Sequence, residues 1–600
     1  MKPIEQISWS FWRGIAGSVL LVTVAIFVWL APRGFEYTDE SFYLLSLTSW
    51  REISSSPTLF GVVLGGPFEL LGQSIVVFRL AGMFALLCSS AYMARAALRF
   101  AAAGRRSAEP GLDGFVVLVV MGTAMQFYTV FGVLRVPSYN LLALCALMFA
   151  TGAMLGLSAA QRAGEAYFLR AVIYGVALGL CAAGKVSTAL LGSLLHLVYF
   201  GLLLRGPRPV AIGKAAIGAV LGFALVAGAV LVLQPKAAAI LSMGLSLSRI
   251  VDDRYGPASL VNLLRWDVQR QVSEYWFVPV GLLALAAAQR WWPGRIAAWV
   301  YRAVFAACLL ASVAAQTSSA WSHLWLLLAA LGLLWSFAPA ERCSSTTDAR
   351  GRSVEEASLP FLLMSLPLAF SFGTNGRVLA HCEAAAAPAM LGVCLIAMTA
   401  YRQGRMGRGG AALCLLLLAL PAVVGQWRLI ADLSANYRQR VPLGAQQLEV
   451  HVGPAGSRLL VDEATSSAIQ SLQVAASKAG FKSGTAVQDF TGDGAGIVFI
   501  LGGRPLAAAW MSGGYPGAEA AASKLLSGVD KQALANAWLI SSEDNPRSIP
   551  NWHGILEQRL GQGSHELAAT VEIRSPYDWV RDSPGTWRVA LWRPARPSPR

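Results

Sequence analysis

The chain has 600 residues, of which 55% are hydrophobic and 14% are charged, and its mean hydropathy is +0.53. Soluble globular proteins carry about a quarter charged residues, so this composition excludes a wholly soluble protein and indicates a polytopic membrane protein. The formal net charge is +15. The basic residues fall in short loops between apolar segments, where membrane topology explains them, and no nucleic-acid partner is predicted.

Thirteen apolar segments predict membrane-spanning helices. Several are shorter than the roughly 20 residues that a perpendicular helix needs. The first is interpreted as a retained anchor rather than a signal peptide, because it is long for one and is followed by a poor cleavage site. In chain order the segments are 11–31, 74–98, 113–133, 140–159, 168–184, 187–204, 214–233, 276–289, 297–315, 320–339, 358–373, 384–400 and 410–426.

Basic residues collect in every second loop, which is the pattern of cytoplasmic loops. The N-terminus is therefore predicted to be cytoplasmic, and everything after about residue 427 is predicted to be on the outer side. The Ala-, Gly- and Arg-rich composition favours a bacterial inner membrane, with the C-terminal domain in the periplasm. The other segments predicted on the outer face are 32–73, 135–140, 234–275 and 372–383.

The first 430 residues form the predicted transmembrane domain, and residues 440–600 form a predicted soluble α/β or α+β domain. Short apolar runs predict strands at 458–462, 496–501, 537–541 and 586–592, with helices at 464–479, 517–528 and 551–561. The glycine-rich stretch from Asp489 to Gly496 lacks the ending of a P-loop and is interpreted as a turn between two strands. No cysteine follows Cys414, so this domain folds without disulfides.

Two adjacent carboxylates, Asp39 and Glu40, follow the first apolar segment in the stretch Tyr37-Thr-Asp-Glu-Ser-Phe-Tyr43. Ionisable groups this close to hydrocarbon are costly unless they have a partner or a task. One interpretation is a solvated acid pair, or Asp39 as the N-cap of a helix at the membrane surface. The other is a catalytic site, and the two interpretations are compatible.

The acid pair directly after the first span, in a chain with many spans and an outer C-terminal domain, resembles the GT-C superfamily of glycosyltransferases. The resemblance implies a GT-C-like membrane fold for the thirteen predicted helices and transfer of a sugar from a polyprenyl-phosphate carrier on the outer face. It implies that Asp39 is the general base of an inverting single displacement. Glu40 would orient the acceptor or a metal, because some members use a divalent cation. The sequence does not decide whether a metal is bound. It also does not decide whether the acceptor is a lipid, a cell-envelope glycan such as lipopolysaccharide, or a protein.

A polyprenyl-phosphate leaving group needs cations near the membrane surface. The outer-face candidates are Arg135, Lys185, Arg254 and Arg377. Lys185 lies in an otherwise apolar region, where the alternative is a long side chain that reaches the interface for solvation alone. Neighbouring residues that could bind sugar hydroxyls are Tyr139, Asn140 and Asn375.

Two other functions compete with glycosyl transfer. A transporter or flippase of lipid-linked sugars should carry broken helices with polar residues at mid-membrane. Here the central spans are nearly free of charge and the polar residues gather on one face, which favours chemistry at the surface. A catalytically silent scaffold for envelope assembly is the third possibility, and the adjacent acids argue against it.

Overall fold

The structure is a computed structural model. It describes residues 8–102, 109–132, 135–203, 209–251, 261–263, 265–269, 273, 347–374, 378–402, 408–431, 438–439, 441–574 and 585–595.

The N-terminal part is built from helices whose ends follow local sequence signals. Ser8 and Ser138 are N-caps whose side chains accept a backbone N–H, and Gly164 ends a helix with a φ of 70°. The helices are α1 (Trp9–Leu30), α2 (Asp39–Thr48), α3 (Phe60–Leu70), α4 (Ile75–Ala102), α5 (Pro110–Ala124), α6 (Gln126–Val130), α7 (Tyr139–Ala163), α8 (Phe168–Gly184), α9 (Val186–Leu203), α10 (Pro209–Leu233), α11 (Ala237–Val251), α12 (Thr347–Ser371), α13 (Val378–Ala384), α14 (Ala386–Arg402) and α15 (Arg408–Ala431).

The predicted spans agree with these helices where the structure describes them. Ten of the thirteen segments each coincide with a helix or, for 113–133, with the pair α5 and α6. The segments 276–289, 297–315 and 320–339 lie outside the described residues. By length and composition, 5 helices of the described part are long and apolar enough to cross a membrane. The predicted helical architecture with several apolar helices is therefore confirmed, but the number of thirteen spans is not.

Segments predicted to share the outer face contact one another. Arg135 donates a hydrogen bond to the carbonyl of Arg33 at 2.6 Å. The side-chain amide of Gln234 donates to the carbonyls of Trp50 and Arg51, each at 3.1 Å. The Asp267 carboxylate accepts the backbone N–H of Leu379 at 2.9 Å, which links the 234–275 and 372–383 segments.

The C-terminal domain contains two sheets and flanking helices. A hairpin of β1 (Leu448–Val452) and β2 (Ser457–Val461) precedes a five-stranded sheet. The strands of this sheet are β3 (Ala486–Asp489), β4 (Arg504–Pro505), β5 (Trp538–Ser541), β6 (His565–Arg574) and β7 (Thr586–Pro594), and their order is β4-β3-β5-β7-β6. In the larger sheet β3 runs parallel to β4 and β5, and β7 runs antiparallel to β5 and β6. The helices of this domain are α16 (Glu463–Lys478), α17 (Ala495–Ile500), α18 (Ala518–Ser527), α19 (Lys531–Ala535) and α20 (Trp552–Leu560).

One predicted strand of this domain is wrong. Residues 496–501 were expected as a strand, but Ala495–Ile500 forms helix α17, all of whose residues are buried. An apolar run of this length does not distinguish a strand from a short buried helix. The stretch from Asp489 to Gly496 therefore joins strand β3 to a helix rather than two strands.

The C-terminal domain packs on the chain that follows α1. The backbone N–H of Gly34 donates to the carbonyl of Leu460 at 2.9 Å, and the N–H of Leu460 donates to the carbonyl of Pro32 at 2.8 Å. The N–H of Gly496 donates to the carbonyl of Tyr37 at 2.6 Å. These bonds fix the domain against the segment that leads to Asp39.

A Gly496→Ala substitution tests this contact. A Cβ at residue 496 would lie 2.6 Å from the Tyr37 Cα and 2.7 Å from its carbonyl oxygen. Although alanine is favoured in a helix, we expect the crowding to weaken the docked state by about 1–3 kcal/mol. Hydrogen–deuterium exchange should then rise in residues 34–40 and in α17.

Gly528→Ala is the matched control in the same domain. Its added Cβ would have Leu525 O at 3.6 Å as its nearest contact, and its φ is −85°. Exchange in residues 34–40 that is equal in the two variants would contradict the predicted contact.

Candidate active site

The end of helix α1 is held by two buried arginines. The last carbonyls of a helix have no partner within the helix and carry partial negative charge. Arg79, from the first turn of α4, donates to the carbonyls of Ala31, Arg33 and Gly34 at 2.7–3.2 Å. Arg135 donates to the carbonyls of Leu30 and Arg33 at 2.9 and 2.6 Å. Both side chains thereby fix the turn that brings the chain to α2.

Glu40 completes the coordination of Arg79. Its two carboxylate oxygens lie 2.8 and 2.9 Å from Nη2, and Arg79 Nε donates to Oε1 at 3.1 Å. Both side chains are 0% exposed. The geometry thus gives Glu40 a structural ion pair, in place of the contact with acceptor or metal that the sequence suggested for it.

Asp39 has a different environment, although it is the neighbouring residue. A helix starts here, as one interpretation of the sequence expected, but Asp39 is the first residue of α2 and the N-cap is Thr38 rather than Asp39. Its side chain is 23% exposed, and its Oδ2 lies 3.2 Å from Nη1 of Arg438. Among the two acids of the pair, Asp39 is therefore the one that a substrate can approach.

A third carboxylate, Glu36, joins this site. It is buried, accepts the backbone N–H of Thr38 at 3.0 Å and that of Glu40 at 2.9 Å, and also accepts the Thr38 hydroxyl. These bonds satisfy N–H groups at the start of α2. Arg438 Nη1 lies 3.4 Å from Glu36 Oε1, so one guanidinium faces both Glu36 and Asp39.

Burial raises the pKa of the Glu36 carboxyl from 4.5 to about 7. The charge of Asp39 also raises it, whereas Arg438, the Thr38 hydroxyl and the Glu40 N–H lower it. A carboxyl that gains or loses its proton near neutral pH thus lies beside Asp39. Perturbed acids of this kind concentrate at functional sites.

Two of the four cations proposed for a phosphate are directed elsewhere, and Arg254 lies outside the described residues. Arg135 is 0% exposed and binds the end of α1. Lys185, between α8 and α9, is buried and donates to the carbonyl of Phe370 at 2.7 Å, close to the end of α12. Arg135 and Lys185 thus bind carbonyls at the ends of helices, and these contacts do not direct either side chain toward Asp39.

Of the predicted sugar-binding residues, Tyr139 lies beside α2. The Tyr139 ring is 5.8 Å from that of Tyr43 and 6.1 Å from that of Phe60. Asn140 is buried, and its Oδ1 has no hydrogen-bond partner among the described residues. Asn375 and Arg377 lie outside the described residues.

Glu40 does not fit as a ligand of a divalent cation, because Arg79 binds both of its carboxylate oxygens. Asp39 contacts Arg438 through Oδ2. Among the described residues, no group of three or more His, Cys, Asp or Glu could hold a metal ion.

The C-terminal domain contributes an aromatic side chain to the region around α2. The Trp510 ring lies 5.9 Å from that of Phe42, which is one helical turn after Asp39 on α2. Trp510 Nε1 donates to the carbonyl of Gly492 at 2.9 Å, in the stretch from Asp489 to Gly496. Asn545 also binds this stretch, donating to the Asp493 carboxylate at 2.7 Å. The stretch therefore positions an aromatic side chain beside α2.

Sequence reasoning did not identify Glu36, Arg79 or Arg438. Arg79 lies in the apolar segment 74–98, and the argument applied to Lys185, that charges in apolar segments have partners, would have selected it too. Glu36 and Arg438 carry no such signal, because one is a loop acid and the other lies 402 residues further along the chain.

Replacing Arg79 should destabilise the protein strongly. Arg79→Gln would leave the buried Glu40 carboxylate without its counter-ion, and we expect a loss of about 3–5 kcal/mol. Arg51→Gln is the control, because its ion pair with Glu69 is solvent-exposed, at 56% and 30%. Exposed pairs contribute about 0–1 kcal/mol. Thermal unfolding in detergent measures both, and equal shifts would contradict the structural role of the buried pair.

The Glu36 proton should make stability depend on pH. The folded protein holds this proton more tightly than the unfolded chain, so its stabilising effect is present at low pH and is lost as the pH rises through about 7. The melting temperature of the wild type should therefore fall relative to that of Glu36→Gln between about pH 5 and pH 8. Glu52→Gln, at an exposed position, is the control. Parallel curves for wild type and Glu36→Gln would refute the assignment.

No protein-family model and no curated protein matches this chain. Two solved structures of the oligosaccharyltransferase of Archaeoglobus fulgidus are similar to it. One shows AglB in complex with an inhibitory peptide and a dolichol-phosphate, with 11% sequence identity and a TM-score of 0.39, over 88% of this chain and 69% of that chain. The other is tethered with an acceptor peptide containing the NVT sequon, with 13% identity and a TM-score of 0.39, over 88% of this chain and 68% of that chain.

Proposed function

We propose that this protein is a membrane glycosyltransferase that moves a sugar from a polyprenyl-phosphate carrier to a hydroxyl of a cell-envelope acceptor. The observation that carries the proposal is the position of Asp39. It is a partly exposed carboxylate at the first turn of α2, where the apolar helices meet the C-terminal domain. A base in that place can meet a lipid-linked donor and a polar acceptor together.

In the proposed reaction the acceptor hydroxyl oxygen attacks the anomeric carbon of the donor sugar. Asp39 takes the hydroxyl proton as the new C–O bond forms. The bond between the anomeric carbon and the phosphate oxygen breaks, and its electron pair leaves with the polyprenyl phosphate. A single displacement of this kind inverts the configuration at the anomeric carbon.

The other residues of the site have supporting parts in this proposal. Glu40 and Arg79 hold α2 in place, and Glu36 binds the N–H groups at its start. Tyr139, Asn140 and Asn375 remain candidates for contact with sugar hydroxyls, and Arg377 for contact with phosphate. We place the reaction on the periplasmic face of a bacterial inner membrane, because the basic loops alternate with the segments that surround Asp39.

The test is a transfer assay with the full chain in lipid nanodiscs. Polyprenyl-phosphate sugars are supplied as donors with envelope glycolipids, glycans and peptides as acceptors, and product is detected by mass spectrometry. Asp39→Asn should lower the rate by about 10²- to 10⁴-fold, because the amide cannot accept the proton. Glu52→Gln removes an exposed carboxylate of the following loop and should leave the rate unchanged.

Two outcomes would overturn the proposal. An Asp39→Asn variant that transfers sugar at the wild-type rate would remove Asp39 as the base. A wild-type protein that forms no product but moves intact lipid-linked sugar between leaflets would be a transporter.

A further inference from the structure

Arg438 is held in an unusual backbone conformation next to Asp39. It lies between α15 and the C-terminal domain, and its φ is 53°, in the left-handed region that non-glycine residues rarely adopt. The side-chain amide of Gln439 donates to the carbonyl of Phe35 at 2.9 Å, and that of Gln446 donates to Gln439 Oε1 at 3.0 Å. These bonds fix the connecting chain against the residues before α2.

The surrounding charges give Arg438 a position that the other cations of the region lack. Arg79 and Arg135 bind helix-end carbonyls, and Arg79 also binds Glu40. Arg438 instead faces Asp39, the partly exposed acid, and Glu36. Its own side chain is 12% exposed, so it is nearly but not completely buried beside the more exposed Asp39.

This contact places a guanidinium against Oδ2 of Asp39. A carboxylate oxygen that is held in a charge-assisted contact with arginine is less accessible to the hydroxyl of an acceptor. The proposed reaction brings an anion to the site, because the donor carries a phosphate. Arginine binds phosphate oxygens with two parallel hydrogen bonds, as it binds a carboxylate. Phosphate and Asp39 are therefore competitors for the same guanidinium.

We propose that Arg438 exchanges partners, binding Asp39 in the free protein and the phosphate of the lipid-linked donor in the complex. This inference rests on the proposed function. Arrival of the donor thus releases the base, and Arg438 then faces the oxygen on which negative charge develops as the sugar leaves. The acceptor is deprotonated only when a donor is bound, because until then Asp39 is paired.

Binding of polyprenyl phosphate without a sugar tests the exchange apart from catalysis. The full chain is placed in nanodiscs of neutral lipid and the dissociation constant is measured by titration. Removing the competing carboxylate with Asp39→Asn should tighten binding by about fivefold or more, which is the lower end of measured coupling between sites. Arg438→Gln should weaken binding by about tenfold or more, and the double variant should bind as Arg438→Gln does, because the competition needs the guanidinium.

Two controls separate the exchange from general electrostatics and from folding. Glu52→Gln changes the net charge by the same amount as Asp39→Asn, at an exposed loop position, and should leave the affinity unchanged. Arg438→Lys keeps the charge, and in that background Asp39→Asn should still tighten binding. This pair of variants replaces the Arg438→Gln arm if that protein does not fold.

Asp39→Asn that binds polyprenyl phosphate no more tightly than Glu52→Gln would overturn the exchange. Tightening that persists undiminished in the Arg438→Gln background would overturn it as well. Failure of the proposed function gives a different result, since the transfer assay would then show no product that depends on Asp39. If transfer depends on Asp39 but the effects of Asp39→Asn and Arg438→Gln on polyprenyl-phosphate binding are additive, the proposed function stands and the exchange is wrong.

Discussion

The ion pair between Arg79 and Glu40 is the interaction on which the candidate site depends. Both side chains are 0% exposed, and an isolated buried charge would cost several kcal/mol. The cost is offset because Arg79 meets both oxygens of Glu40 and three carbonyls after α1. One side chain thus joins α1, α2 and α4, and it sets the direction in which α2 leaves the membrane helices.

The direction of α2 separates the two adjacent acids. Successive residues of an α-helix point about 100° apart, so the face that carries Glu40 toward Arg79 carries Asp39 away from it. Glu40 is fully buried in its ion pair with Arg79, whereas the side chain of Asp39 is partly exposed. Two residues of the same chemistry and neighbouring positions thereby have different environments, because Asp39 is one of the few residues of α2 that remain partly exposed.

The C-terminal domain is part of the site rather than an appendage. It binds the chain before α2 through Leu460 and Gly496, it brings Trp510 to Phe42, and the connecting chain that leads into it brings Arg438 to Asp39. The charge on Arg438 and the proton on Glu36 are then neighbours of the proposed base.

The sequence by itself determined the apolar helical class, the helices that correspond to ten predicted segments, a helix start next to Asp39, and three of the seven strands and three of the five helices described in the C-terminal domain. These features follow from hydropathy, from local caps and from short-range periodicity, all of which are properties of neighbouring residues. Only the tertiary structure decided which charges are paired. Glu40 and Arg79 are 39 residues apart, and Glu36 and Arg438 are 402 apart. No local pattern specifies such partners, because the energy of an ion pair depends on burial and distance, which exist only in the folded chain. For the same reason Lys185 and Arg135 were expected at a phosphate and are found on helix-end carbonyls.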